Sequence, residues 1–161
     1  MKRLAILVAA LMISSPSALG QNAGEIDRVQ SGASCPGCNL FQADLSYRDL
    51  PHINLSGSRL RQANLSLATM NGANFSRADL SVADLFGGRF TGASFAHTSL
   101  RDANLVGGYF GSADFSGADL TGAILSGAEM ETARGMTQAQ LDTACGDQDT
   151  RLPAGLRIPV C

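Results

Sequence analysis

The sequence is poor in several residue types, and these absences narrow the range of possible functions. The 161 residues contain no tryptophan, and Lys2 is the only lysine. The formal net charge is −2. A nucleic-acid-binding surface needs a basic face of lysine and arginine, so this composition argues against nucleic acid as a partner. The weak acidic balance also predicts no strongly charged partner of any other kind.

A long hydrophobic run is also missing. The only apolar segment is 4–13, behind a charged start, and it is too short to cross a bilayer as a stable anchor. Ala18 and Gly20 are small residues where a signal peptidase reads. We expect residues 1–20 to be a secretory signal peptide, with a retained membrane anchor as the alternative. Its removal leaves ten arginines against fourteen acidic residues, a net charge of −4, and no stable membrane anchor.

The rest of the chain is dominated by a strict repeat. From Leu40 to Met130 every fifth residue is Leu, Phe or Met, at nineteen consecutive positions, and the residue two places before each is small except at Arg48 and Ile53. A helix repeats about every 3.6 residues and a strand about every 2, so neither fits. The pattern predicts a backbone that turns a corner every five residues. Each side then points one large and one small side chain inward, and coils stack at about 4.8 Å.

Many units share one form, such as Ala43-Asp44-Leu45-Ser46-Tyr47, Ala63-Asn64-Leu65-Ser66-Leu67 and Ala118-Asp119-Leu120-Thr121-Gly122. Over roughly residues 36–134 the chain resembles the A(D/N)LxX unit of the pentapeptide-repeat family. The resemblance implies an all-β fold, a right-handed quadrilateral parallel β-helix with four units per coil. Residues twenty apart then stack on one face.

A second period supports four units per coil. When the central residues are sorted by face, two faces hold only leucine, and the five phenylalanines fall on the other two: Phe75, Phe90, Phe95, Phe110 and Phe115. Stacked phenylalanine rings add about 0.5–1.5 kcal/mol per pair beyond their burial. Gly88 and Gly108 each precede a phenylalanine by two residues, which we interpret as relief of crowding inside a narrow lumen.

One part of the series is expected to be irregular. An inward Arg48 would be an unpaired buried charge, which is costly. Pro51 lies close by and cannot donate a backbone hydrogen bond to a ladder. We therefore predict a bulge or a loosened corner at residues 47–53.

The ends of a stacked solenoid need caps. After a lead segment at 21–34, the β-helix is expected over 35–134 and a cap with a disulfide-closed tail over 135–161. Thr137 and Gln140 have the order of a capping box, which predicts a short helix over about 137–145. Gly146 suits a left-handed helix end. The tail that follows is expected to be an ordered loop rather than a strand.

An even number of cysteines in an exported chain is typical of disulfides. In a rod, Cys35 and Cys38 lie at one end and Cys145 and Cys161 at the other, farther apart than the roughly 7 Å between Cα atoms that a disulfide allows. We expect Cys145 to pair with Cys161, which stabilises by roughly 3 kcal/mol on the loop-entropy model. We expect Cys35 and Cys38 to pair locally. The same separation excludes a four-cysteine zinc site.

The remaining polar residues predict no catalytic, cofactor-binding or metal site, and the chain is not expected to be an enzyme. His52 and His97 are the only histidines, on different faces and about two coils apart. Rows of Asp and Asn could bind a cation, but hydrogen bonds that stabilise turns are the expected use: Asp44, Asn64, Asp84 and Asn104.

One outer surface is a candidate for contact with another protein. Apolar residues lie close together on the second face and its corner: Leu67, Phe86, Val106 and Tyr109, with Tyr47 as a possible extension. A cluster of this kind is typical of an interaction surface. The alternative is the scattered apolar exposure that any surface shows.

These observations favour a non-enzymatic exported solenoid, periplasmic or secreted, that binds an unidentified protein or itself. Two alternatives remain open. Some cytosolic members of the family resemble B-form DNA and bind DNA gyrase, but this chain is only weakly acidic and carries arginines along the rod: Arg59, Arg61, Arg77, Arg89 and Arg101. The other is an envelope redox protein, suggested by the motif Cys35-Pro36-Gly37-Cys38.

Overall fold

The rod begins and ends with short helices, and its body consists of turns and single-residue bridges. The computed structural model describes residues 20–161, so the predicted signal peptide lies, apart from Gly20, outside the described residues. Helix α1 spans Ala23–Gln30 and helix α2 spans Gln138–Leu141. Between them each five-residue unit contributes one parallel bridge to the unit twenty residues further along the chain.

The bridges run without interruption from Asn39↔Arg59 to Asp114↔Arg134. Four units complete one coil, and the predicted right-handed quadrilateral β-helix is confirmed. All nineteen central residues are buried, and so are the small residues that precede them, apart from Arg48. The core is therefore one continuous column of inward side chains.

Nearly every unit turns its corner in the same way. Two corner residues follow the central residue, as Phe41 and Gln42 follow Leu40, and the next residue closes the turn with a hydrogen bond from Ala43 N to Leu40 O of 3.0 Å. The second corner residue has positive φ, such as 55° at Gln42, and at many corners this residue is glycine. Between residues 38 and 134 no first corner residue donates its N–H to a backbone carbonyl.

Phenylalanine rings fill the middle of the core. On one face Phe75, Phe95 and Phe115 stack with centroids 5.2 and 5.1 Å apart, and on the next face Phe90 and Phe110 stack at 5.4 Å. Rings of the two faces meet edge to face at 5.7–6.1 Å. Packing within this five-ring cluster explains why the phenylalanines of the repeat fall on only two faces.

Gly88 and Gly108 relieve crowding in the lumen, as predicted. A Cβ atom at Gly88 would stand 2.5 Å from the ring of Phe90, and one at Gly108 would stand 2.5 Å from the ring of Phe110. No real Cβ makes so close a contact, so the lumen at these two positions has no room for alanine.

Residues 47–53 contain no bulge, but the loosened corner predicted there is present: Arg48 N lies 3.4 Å from Leu45 O, and Ile53 N donates to no backbone carbonyl. Leu50 N donates to Thr69 O and His52 N to Asn71 O, both at 2.8 Å, so the ladder stays in register. Pro51 is a first corner residue, whose N–H the ladder does not use. Arg48 lies in the first coil, where its side chain is exposed rather than buried, because a long aliphatic stem can carry the guanidinium to solvent.

The C-terminal cap differs from the prediction in its length. The Thr137–Gln140 capping box is present, but α2 ends at Leu141 rather than near residue 145. Residues after α2 instead accept hydrogen bonds from the exposed edge of the last coil. Gly122 N donates to Thr143 O and Leu125 N to Cys145 O, each at 2.8 Å.

The tail is an ordered loop rather than a strand, as predicted, but it adds isolated bridges that the sequence did not indicate. Gly146 forms a parallel bridge with Val160 and does not adopt the left-handed conformation, and Arg151 bridges Glu129. Between these bridges three side chains pack against the core: Leu152, Leu156 and Ile158. The tail therefore extends the solenoid edge and closes its lumen.

The lead segment contains an element that the sequence reading missed. Helix α1 is capped by Asn22, whose side chain accepts from Glu25 N, and it buries Val29 completely. Glu25 accepts from Asn39 N at 2.6 Å, and Gln30 donates to Asp44 O at 2.8 Å. The helix thus closes the N-terminal end of the lumen. The Asn22–Glu25 spacing is a capping signal that could have located it.

Phe95 tests the ring cluster, because it contacts all four other rings. We expect Phe95→Ala to lower the free energy of unfolding by about 3–5 kcal/mol, as burial is lost and a cavity is left. Phe86→Ala is the matched control, since Phe86 is 45% exposed, and it should cost no more than about 1 kcal/mol. Equal losses for the two variants in urea unfolding would contradict a core built on these rings.

Candidate binding surface

The predicted contact residues lie together along one corner of the rod. We call them the apolar ridge: Tyr47, Leu67, Phe86, Val106 and Tyr109. Tyr47 and Leu67 are second corner residues of successive coils, and Phe86 and Val106 are first corner residues of the next two. Ladder hydrogen bonds hold them in line, from Leu67 N to Phe86 O at 2.8 Å and from Gly87 N to Val106 O at 2.9 Å.

The side chains of the ridge are open to solvent. Tyr47 is 75% exposed, Leu67 43%, Phe86 45% and Tyr109 41%, while Val106 is half-buried. Contiguous apolar exposure of this kind on a soluble surface is typical of a contact region. Leu67 lies over Gly87, where a Cβ would come within 2.8 Å of its Cδ2, so the glycine makes room for the leucine.

The corner of the ridge also carries no charge. Its ten corner residues are neutral over five coils: Ser46, Tyr47, Ser66, Leu67, Phe86, Gly87, Val106, Gly107, Ser126 and Gly127. The other three corners each carry charged residues, namely Arg61, Arg101 and Asp102, then Glu131, then Arg77. Low charge with aromatic side chains is the composition of an interface core.

Polar rows flank the ridge on both sides. One is formed by outward residues of the preceding face: Asp44, Asn64, Asp84, Asn104 and Ile124. The other is formed by those of the following face: Asp49, Thr69, Arg89, Tyr109 and Glu129. In the first row Asn104 Nδ2 donates to Asp84 Oδ1 at 2.9 Å, and in the second the Arg89 guanidinium lies 5.4 Å from the centre of the Tyr109 ring.

The outward Asp and Asn side chains stabilise corners. Asp44 Oδ1 accepts from Ser46 N at 3.1 Å, and Asn64 Oδ1 accepts from Ser66 N at 3.0 Å. The same contact recurs at Asp114 and Asp119. This is the turn-stabilising use expected from the sequence.

The same hydrogen bonds favour ionised carboxylates. The side-chain hydroxyl of Ser46 lowers the pKa of Asp44, that of Ser116 lowers the pKa of Asp114, and that of Thr121 lowers the pKa of Asp119. The pKa of Asp147 is also lowered, first by the backbone N–H of Gly127. In each case the donors stabilise the charged form.

The cysteines pair within each end of the rod. Cys35 and Cys38 are bonded with Cα atoms 5.6 Å apart, and Cys145 and Cys161 with Cα atoms 4.8 Å apart. Cys35 and Cys38 are both buried, whereas Cys161 is exposed. The buried motif precedes a coil rather than opening a helix, so it lacks the helix N-terminus that lowers the pKa of reactive thiols.

The histidines do not converge. His52 and His97 are second corner residues on different corners, and each lies over a glycine of the next coil, Gly72 and Gly117. Within residues 20–161 there is no enclosed cavity and no group of three or more potential metal-ligating side chains. None of the helices in that range has the length and apolar character needed to cross a membrane.

Sequence reasoning missed one exposed apolar residue beside the ridge. Ile124 ends the row of Asp44 and is 42% exposed, beside the ridge. Its position four residues after Leu120 was the available signal, because every other unit on that face carries a polar residue there. Of the remaining exposed large apolar residues, Val82 lies on another corner and Val160 in the tail.

Comparison with family models identifies the repeat. Pentapeptide repeats match in eight copies over residues 38–77, 78–117 and 98–134. The chain belongs to the pentapeptide-repeat family. No curated protein matches the sequence at a significant level.

Several solved pentapeptide-repeat structures are similar to this chain. A protein from the Arabidopsis thaliana thylakoid lumen is 33% identical, over 63% of this chain and 71% of that one, with a TM-score of 0.41. Rfr23 from the cyanobacterium Cyanothece is 27% identical, over 80% and 97%, with a TM-score of 0.45. QnrB1, a plasmid-mediated fluoroquinolone resistance protein, is 20% identical over 80% of each chain, with a TM-score of 0.44.

Asp119 provides a test of the corner electrostatics. Its folded-state pKa lies below the usual 3.8, so its contribution to stability is present above that value and is lost as the pH falls through the folded pKa. We expect the free energy of unfolding to fall below about pH 4. Asp119→Asn keeps an acceptor for Thr121 but cannot titrate, so it should flatten that fall. An unchanged pH slope in urea titrations between pH 2 and 6 would contradict the assignment.

Proposed function

We propose that this chain is a non-enzymatic, exported pentapeptide-repeat solenoid of the cell envelope, periplasmic or secreted, that acts as a protein-binding or structural module. The observation that carries the proposal is the apolar ridge. It places a charge-free, aromatic-rich strip on a surface whose backbone the ladder holds rigid.

The ridge suits a protein partner for two reasons. Tyrosine and phenylalanine are enriched at the centres of protein interfaces, where they contribute a large share of the binding energy. The hydrogen-bonded backbone of the ridge is already ordered before binding, so little conformational entropy is lost there on association. Five of the seven large exposed apolar residues among residues 20–161 lie in the ridge or beside it: Tyr47, Leu67, Phe86, Tyr109 and Ile124.

Export is supported by the N-terminus and the cysteines together. The segment 1–20 has the order of a secretory signal: charged start, apolar run and small residues. All four cysteines are paired in the structure, with one pair at each end of the rod. Disulfides form and persist in oxidising compartments, which include the periplasm and the cell exterior.

A capture experiment tests the ridge as a binding surface. Immobilised mature protein would be exposed to periplasmic extract as the wild type, as Phe86→Asp/Val106→Asp and as Val82→Asp. We expect the double variant to lose at least about tenfold of any captured partner, because two charges would have to be desolvated in the contact. Val82→Asp is the matched control, since Val82 is equally exposed, at 45%, on a different corner.

The outcome depends on the variants remaining folded, so circular dichroism and thermal unfolding accompany the capture. The proposal fails if the double variant is folded and still captures the same proteins, and forms the same oligomers, as the wild type.

A further inference from the structure

The two disulfides differ in how well the fold shields them, and we propose that the Cys145–Cys161 bridge is a thiol–disulfide exchange site. Its co-reactant is a dithiol, and its reduction opens the C-terminal end of the rod. Residues 152–161, which we call the closing segment, come away from the last coil, while the rod and the Cys35–Cys38 bridge stay intact. The site does not use the apolar ridge, so its test is independent of the proposed function.

Burial separates the two bridges. Cys35 is 1% exposed and Cys38 is 9% exposed, whereas Cys145 is half-buried and Cys161 is exposed. A disulfide is reduced when a thiolate reaches one of its sulfur atoms, so access decides which bridge reacts. A reductant can approach the second bridge from the side of Cys161, but it reaches the first only if the surrounding coil opens.

The exchange gives this chain two electrons and two protons. A thiolate of the dithiol attacks Sγ of Cys161, the bond between the two protein sulfur atoms breaks, and Cys145 leaves as a thiolate that takes up a proton. The second sulfur of the dithiol then attacks the first in the mixed disulfide and releases Cys161, which is protonated in turn. The dithiol ends as a disulfide, and Cys145 and Cys161 end as thiols.

Few hydrogen bonds hold the closing segment besides the bridge. Gly146 N donates to Pro159 O at 2.8 Å, and Cys161 N donates to Gly146 O at 3.0 Å. Gln138 and Arg157 exchange two further hydrogen bonds, at 2.9 and 3.1 Å, in an exposed position. Exposed hydrogen bonds contribute little to stability, because water replaces them when they break.

The apolar packing of the closing segment is only partial. Leu152, Leu156 and Ile158 pack against the core, but none of them is fully buried. Ile158 lies over Gly146, where a Cβ atom would stand 3.1 Å from its Cγ2. The disulfide limits the conformations that the released chain could adopt, and reduction removes that limit. Reduction therefore favours the open form.

The first part of the tail has attachments of its own. Asp147 Oδ1 accepts from Gly127 N at 2.9 Å, and Arg151 continues the ladder as the bridge partner of Glu129. These contacts do not depend on the disulfide. Opening is therefore confined to the chain from Leu152 onward and leaves the last coil in place.

Opening exposes the C-terminal end of the lumen. Gly146, which is buried in the closed form, loses the partners of both its N–H and its C=O. An unpaired ladder edge is a template for pairing with another chain. The edge lies close to the last corner of the ridge, since Ser126 Oγ is 3.8 Å from Cys161 Sγ. In the oxidising compartment proposed above the closed form is the resting state, and a dithiol switches it to the open form.

Differential alkylation tests the selectivity of the exchange. The folded mature protein is treated with dithiothreitol, free thiols are alkylated with iodoacetamide, and mass spectrometry follows each cysteine over time. We expect Cys145 and Cys161 to be alkylated at least about tenfold faster than Cys35 and Cys38. In guanidinium chloride, where burial is lost, the rates should agree within about threefold. Equal rates in the folded protein would overturn the selectivity.

Amide hydrogen exchange before and after reduction tests the opening. We expect the amides of Gly146 and Cys161 to exchange at least about tenfold faster once their bridge is reduced. Leu105 and Phe110, whose amides donate to the ladder in the body of the rod, should keep their protection. Cys161→Ser should show fast exchange at Gly146 with or without dithiothreitol, because its segment is never closed.

Cys35→Ser/Cys38→Ser is the matched control, since it lacks the other bridge and should respond to dithiothreitol as the wild type does. If that variant does not fold, wild type in which alkylation shows only Cys145 and Cys161 to be reduced decides the same point. Unchanged exchange at Gly146 in that species would overturn the opening. Loss of protection at Leu105 and Phe110 as well would show that the bridge holds the whole rod, which would overturn an opening confined to the closing segment.

Discussion

The structure depends on backbone hydrogen bonds between five-residue units that lie twenty residues apart in the chain. A five-residue side in the body of the rod donates two N–H groups to the following coil and one to the preceding coil, at about 2.7–3.0 Å along most of the rod. Stacking at this spacing leaves a lumen that holds one large and one small side chain per side. The five-residue period follows from that limit. So do the glycines beside Phe90 and Phe110, and the need to close both ends of the rod.

The same constraint leaves only part of the chain free for function. Central and small residues are committed to the lumen, and outward Asp and Asn side chains are committed to the corners they stabilise. Only the corner residues and some outward positions remain available for binding. Leu67, Phe86 and Tyr109 occupy such positions and depart from the polar pattern there. Because the ladder fixes their backbone, the proposed contact surface is ordered before any partner arrives. A conformational change is not needed to expose it.

The body of the fold could be predicted from the sequence because the same five-residue pattern recurs nineteen times. The ends could not be predicted as well, since each cap occurs once and depends on tertiary contacts. The Thr137–Gln140 capping box located the start of α2. Its end could not be located in this way, because the residues after α2 supply the backbone carbonyl groups that accept from Gly122 N and Leu125 N. Arg48 was misjudged because an inward register was equated with burial, although an arginine in the end coil can reach solvent. The ridge was located because stacked residues lie twenty apart, while Ile124 was missed because it belongs to an otherwise polar row.

Amide hydrogen exchange followed by NMR tests the central claim most directly. Between residues 58 and 110 the ladder and the corner hydrogen bonds protect the central, second corner, small and outward residues of each unit, whereas the N–H of the first corner residue makes no backbone hydrogen bond. We therefore predict that fast-exchanging amides occur only at first corner positions, which are spaced by multiples of five residues, and that exchange is fastest where no Asp or Asn side chain accepts the N–H: Arg61, Asn71, Ala96 and Arg101. The four residues between successive first corner positions should exchange slowly. Protection with a period of two or of about 3.6 residues, or with no period, would contradict a rod built from five-residue sides.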